Sequence, residues 1–132
     1  MIYVRKLFTQ DLRDGKQIAF PKDPSHNFFN FHFENGEPDR QISFVFNAEG
    51  SGFPQFNGKT ISTRLYCAGS ESRMDGQVKA FLRDELHAAV EDIIVFKNRG
   101  NNFSDFEFFY VKKGTPAYPI LASMMYAPNP SV

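Results

Sequence analysis

The sequence predicts a β-rich barrel or sandwich built from about seven short strands and two short helices. Three observations carry this reading. Runs of four to seven residues rich in Val, Ile, Thr, Phe and Tyr recur along the chain, separated by Gly, Pro, Asn and Asp clusters. One later segment has clear helical spacing. Strand and helix patterns do not alternate regularly enough for a parallel α/β sheet. The chain has 132 residues, 42% of them hydrophobic, with 16 Phe and 5 Tyr, which suffices for one core filled largely with rings.

Taken in order, Ile2-Tyr3-Val4 and Leu7-Phe8 form an apolar opening strand. Asp11 to Lys16, with Asp14-Gly15, is a turn or loop. Gln17 to Phe20 is a second strand stopped by Pro21, and Pro24 can open a short helix through Phe33. In that segment Phe28, Phe29, Phe31 and Phe33 are too dense for periodicity to separate helix from strand. Asn35-Gly36 is a turn, Ile42 to Phe46 a strand, and Glu49 to Gly58 a glycine-rich loop. Thr60 to Tyr66 is a β-branched strand, and Gly69 to Gly76 is a polar loop or a distorted hairpin. Val78, Phe81, Leu82, Leu86 and Ala89 fit a helix ending near His87 to Val90. Ile93 to Phe96 is a fully apolar strand, Asn98 to Asn102 a turn, Phe106 to Val111 a strand, and Tyr118 to Met125 a last strand. The domain is expected to cover residues 1–125. Residues 126–132, with Pro128 and Pro130, read as a tail leading toward a further domain.

Composition narrows function. The single Cys67 excludes an internal disulfide framework and a Cys-based zinc site. No apolar run approaches the roughly 20 residues that span a bilayer, and the start lacks a signal-peptide pattern. A soluble cytoplasmic protein is expected, with no membrane partner. Net charge is zero, but residues 1–22 sum to +3 and residues 59–79 to +2, against −4 for 23–58 and −3 for 80–92. The two positive segments make a basic face if they meet in space; otherwise the charges are scattered and solvated.

No catalytic motif stands out. His26, His32 and His87 form no HxH or HExxH, and there is neither a GxSxG elbow nor a P-loop. Asp39 after Pro38 and the following Glu49 resemble the first acids of a PD-(D/E)xK nuclease, but no lysine stands two residues beyond Glu49. Asp84-Glu85 and Glu91-Asp92 flank the helix, where solvation and capping account for them.

Two polar loops are more informative. Ser70 to Lys79 holds Arg73, Asp75, Gln77 and Lys79, and Gln10 to Gln17 holds Arg13, Asp14, Lys16 and Gln17. Arg pairs bidentately with guanine, Gln with adenine, and Asp accepts from cytosine in the major groove. Solvated hairpins have the same composition, so neither loop is specific alone. Two such loops in the two positive segments fit a pincer around duplex DNA.

Val78-Lys-Ala-Phe81 through Leu86 to Glu91-Asp92-Ile-Ile-Val-Phe96 resembles the helix-then-strand signature of B3-like DNA-binding domains, with Glu91-Asp92 where Gly-Asp is usual. Tyr3-Val-Arg5-Lys6-Leu7 with Asp11, Ile18-Ala-Phe20-Pro21, and Ser72-Arg73-Met-Asp75 are similar to the effector-binding domain of EcoRII-type restriction endonucleases. The resemblance spans about residues 2–111. It implies a seven-stranded open barrel whose N-arm and C-arm grip the major groove. It places Arg73 and Asp75 at matching C-arm positions. Gln77 stands where EcoRII is basic, and Asp14 at a His position of the N-arm. Arg13, Lys16 and Gln17 are placed by neighbourhood. The implied function is sequence-specific recognition of double-stranded DNA, with a CCWGG-like site suggested, by a non-catalytic, monomeric domain that takes no cofactor or small-molecule substrate. Cleavage, with its Mg²⁺, would belong to a separate nuclease domain. Arg5, Lys6, Lys22, Lys59 and Lys79 are expected at phosphates. Arg13, Asp14, Lys16, Gln17, Arg73, Asp75 and Gln77 are expected at bases. The rival classes are a small β-barrel holding an apolar or sugar ligand at a Phe- and Tyr-lined mouth, and a protein-interaction module.

Overall fold

A computed structural model of the protein describes residues 2–13, 17–21, 28–29, 38–68, 71–100 and 104–124. The strands are β1 (Ile2–Lys6), β2 (Ile18–Pro21), β3 (Arg40–Asn47), β4 (Thr60–Ala68), β5 (Glu71–Met74), β6 (Ile93–Asn98) and β7 (Asp105–Val111). They form one sheet in the order β1-β6-β7-β3-β4-β5-β2. β3 and β7 run parallel, and the other neighbours are antiparallel. The sheet curls into an open half-barrel whose edges are β1 and β2. Among the described residues three short helices accompany it: α1 (Thr9–Leu12), α2 (Gln77–Ala80, continuing as a π-helical turn over Phe81–Glu85) and α3 (Tyr118–Ser123).

Strand alternation fills the concave side. Ile42, Phe44 and Phe46 of β3 and Phe106, Phe108 and Tyr110 of β7 are all buried. The ladder register sets Phe44 beside Phe106 and Phe46 beside Phe108, with ring centroids 5.4 and 5.1 Å apart. Val78, Phe81 and Leu82 of α2 close the same core, and Phe81 meets Phe46 at 5.2 Å. Phe rings thus occupy the interior that a ligand-holding barrel would leave open.

β6 is buried on both faces, which explains its unbroken apolar run. Ile94 and Phe96 point into the main core. Ile93 and Val95 point outward into a second cluster with Val4 and Val111, covered by Tyr118, Leu121 and Ala122. That cover corrects the expected last strand. Pro119 lies in the first turn of α3, where a missing N–H costs nothing, and Leu121 and Ala122 then face the sheet. The Tyr118 hydroxyl donates to the Glu91 carbonyl at 2.6 Å.

Two polar segments also take regular structure. Of the two readings of Gly69 to Gly76, the hairpin holds: Glu71–Met74 is a strand, antiparallel to β4 on one side and β2 on the other. Thr9–Leu12 forms α1, with the Asp11 carboxylate accepting the Phe8 N–H at 3.0 Å. The helix after residue 77 forms as expected and ends at Glu85. Most of Pro24 to Phe33, the Asn35-Gly36 turn and the tail 126–132 lie outside the described residues; within the first of these, Phe28 and Phe29 are buried.

The turn into β6 accounts for the departure at Glu91. Its φ is +79°, a left-handed conformation that glycine adopts freely. The next residue, Asp92, is 2% exposed and holds the turn together. Its carboxylate accepts from the Ala89 N–H at 2.8 Å, the Lys113 N–H at 2.8 Å and the Tyr110 hydroxyl at 2.5 Å.

Candidate nucleic-acid interface

The two edge strands approach each other across a cleft of about 280 Å³. Arg5 of β1, Gln10 and Asp11 of α1, Arg13, Gln17, Ala19 of β2 and Arg73 of β5 line it. Three guanidinium groups thus face one carboxylate. Of the expected base-reading residues, Arg13, Gln17 and Arg73 come together here. Antiparallel pairing sets Arg73 opposite Ala19, whose small side chain leaves the guanidinium room at the mouth. Arg13 and Gln17 are exposed, and Arg73 is half-buried.

Arg5 forms the wall rather than the rim. Its side chain is 12% exposed, and it donates to Asp11 Oδ1 at 2.8 Å. Asp11 in turn is 3% exposed. The pair joins β1 to α1 and leaves the cleft a cationic lining.

Beyond the cleft, the outer face of β4 and β5 carries a second polar group. Arg64 makes a bidentate contact with Asp75, Nε to Oδ2 at 3.0 Å and Nη2 to Oδ1 at 3.1 Å. It also reaches Asp39 at 3.2 Å and lies 4.2 Å from the Tyr66 ring centre. Tyr66 pairs with Arg73 in the β4–β5 ladder, so this group adjoins the cleft. Asp75 is therefore held by Arg64 instead of projecting alone, and Asp39 serves as an ion-pair partner. Gln77 is exposed, but its Oε1 accepts the Thr63 hydroxyl at 2.7 Å. Its amide N–H groups remain the part able to donate outward. Arg64 and Tyr66 were not expected at the site. Alternation along Thr60 to Tyr66 would have shown them, since Ile61, Thr63 and Leu65 point inward.

One expected phosphate contact does not fit. Lys79 is 1% exposed, and its Nζ donates to the carbonyls of Gln10 at 3.0 Å, Arg13 at 3.3 Å and Gln17 at 3.1 Å. An ammonium enclosed in this way is turned inward, away from any phosphate. Lys59 is exposed just before β4, about 20 Å along the strand from Tyr66. Lys6 is half-buried at the end of β1, and its charge acts on the Glu91 carboxylate. Asp14, Lys16 and Lys22 lie outside the described residues, as do His26 and His32. Among the described residues no helix is long and apolar enough to cross a membrane.

No protein-family profile matches the sequence, and no curated protein matches it. Solved structures do match in fold. The N-terminal domain of Helicobacter pylori LlaJI.R1 superposes with a TM-score of 0.64 at 14% identity, covering 93% of this chain and 89% of that one. The protein in the Arabidopsis FUS3-DNA complex superposes with a TM-score of 0.58 at 12% identity, covering 83% of this chain and 95% of that one. At these identities the likeness is one of fold: a seven-stranded open barrel, as the resemblance in the sequence implied.

Proposed function

We propose that this B3-like barrel is a sequence-specific double-stranded-DNA recognition domain that reads the major groove with two arms. The observation that carries the reading is the convergence of Arg13 and Gln17 from the first arm and Arg73 from the second on one cationic cleft. The fold neighbour solved with DNA supports it. Arg73, Arg13 and Gln17 would contact base edges, as would the donor side of Gln77. Each good bidentate pair contributes about 1–3 kcal/mol of discrimination. Asp75, fixed by Arg64, would orient the second arm and accept from a cytosine amine. Asp14 and Lys16 belong to the first arm by sequence and take the same role. Lys6, Lys22 and Lys59 would contact phosphates, with Arg5 adding its field from the wall.

Within that reading we assign the domain to the targeting or effector part of a type II restriction endonuclease acting on a CCWGG-like site. It would bind as a monomer, and cleavage, with its Mg²⁺, would be performed by another domain. The test is a gel shift at physiological salt with a duplex containing CCWGG against a scrambled duplex. Tight binding to the first alone is expected. Equal binding to both discards the proposed site and calls for selection from random duplexes. Binding to neither removes the DNA reading.

A further inference from the structure

Lys79 raises a question that the cleft itself does not answer. A lysine ammonium is rarely buried without compensation, since leaving water costs several kcal/mol. Here three backbone carbonyls supply the compensation, and all three belong to the first arm. Gln10 and Arg13 lie at its start, and Gln17 lies at its return into β2. The lysine itself belongs to the segment that leaves the second arm, two residues after Gln77.

That segment is anchored. Thr63, buried in β4, donates to Gln77 Oε1 at 2.7 Å and to the Asp75 carbonyl at 3.4 Å. The Asp75 N–H donates to the Arg64 carbonyl at 3.1 Å. Val78 and Leu82 seat α2 in the core. The ammonium therefore projects from a rigid base and draws both stems of the first arm toward it.

We propose that Lys79 is a positioning residue that sets the first arm against the second, so that Arg13 and Gln17 stand at a fixed distance from Arg73. This rests on the DNA-recognition reading for its consequence, but the clamp itself is testable without DNA. The clamp contributes through pre-organisation: arms already placed lose less freedom on binding.

The experiment compares wild type with Lys79→Met, which keeps the apolar stem and removes the ammonium. In the free protein, hydrogen exchange at residues 10–13 and 17 is expected to accelerate about tenfold or more, the scale of losing charged hydrogen bonds. With a duplex selected from random sequences, the preference over a scrambled duplex is expected to fall about tenfold, the worth of one misplaced bidentate contact. The salt slope should stay the same. A slope lower by about one unit with unchanged exchange would mean a phosphate contact and overturn the clamp. A lower melting temperature with exchange and preference both unchanged would reduce Lys79 to a packing role, which also overturns it. Failure of wild type to bind any duplex would sink the DNA reading, while the exchange result would still decide the clamp. Should the variant not fold, acylation of free wild-type protein tests the enclosure on which the clamp rests. Lys79 should stay unmodified while the exposed Lys59 and Lys97 react, and labelling of all three at one rate overturns the proposal.

Discussion

The two ends of the sheet use their outer faces differently. At the β1-β6-β7 end the outer face is apolar and covered: Val4, Ile93, Val95 and Val111 lie beneath α3. At the β4-β5-β2 end the corresponding face carries Arg64, Tyr66, Arg73 and Asp75. Among the described residues, one end of the sheet is thus buried on both sides and the other on one. The covered end gives rigidity, and the uncovered end presents chemistry on a backbone that the common Phe core holds in place. Substitutions at the two ends should therefore separate stability from recognition.

The largest expected effect lies in the shared core. Phe108→Ala should lower unfolding free energy by about 3–5 kcal/mol in urea titration, since the ring is fully buried. Asp92→Asn at the covered end should lower it by about 3 kcal/mol, because one of three charge-assisted acceptor contacts loses its partner. At the other end, Arg73→Ala should change unfolding free energy by no more than about 1 kcal/mol while abolishing about 1–3 kcal/mol of sequence preference in competition binding. A large loss of stability there would erase the contrast. The smallest effect is a gain: Glu91→Gly relieves a left-handed backbone and should raise stability by about 1 kcal/mol, less whatever the exposed Lys113 ion pair contributes.

The covered end also carries a pH signature. Burial, together with the Asp92 carboxylate, pushes the Tyr110 phenol above its ordinary value of 10.0. The folded state thus keeps a proton that the unfolded chain releases. The associated stability is complete below pH 10 and is lost as pH rises beyond it. Denaturation curves taken between pH 9 and 11 should show this limb, and Tyr110→Phe should flatten it.

Much of this was legible in the sequence, for reasons that particular residues make plain. Strands with strict alternation, such as Ile42 to Phe46 and Phe106 to Val111, declare their buried face directly. For β5 the sequence leaves loop and hairpin both open, because Glu71-Ser-Arg-Met has little intrinsic strand preference; its ladder partners impose the strand. α3 was misread because Tyr118-Pro-Ile-Leu reads as β-rich, while the choice of helix lies in the outer apolar cluster that no local pattern shows. Residue type singled out Arg13, Gln17 and Arg73, and the fold brings these three to one cleft. Residue type failed for Lys79, where charge suggested the surface. Its spacing to Leu82 and Leu86, on one helical stripe, pointed inward.

The parallel ladder between β3 and β7 has a consequence for how the chain reaches this shape. It joins residues about sixty positions apart, as in the contacts of Asn47 with Glu107 and of Ser43 with Asp105. On one side of it stand β1, β6 and β7, and on the other β3, β4, β5 and β2. Hairpins such as β3–β4 and β6–β7 close short loops and can form within microseconds, but uniting the two groups requires a long loop to close first. The rate-limiting event should be that union, on a millisecond-to-second timescale. Until it occurs, the two facing edges stand open to pairing with other chains, so crowded synthesis is when this barrel is most prone to aggregate.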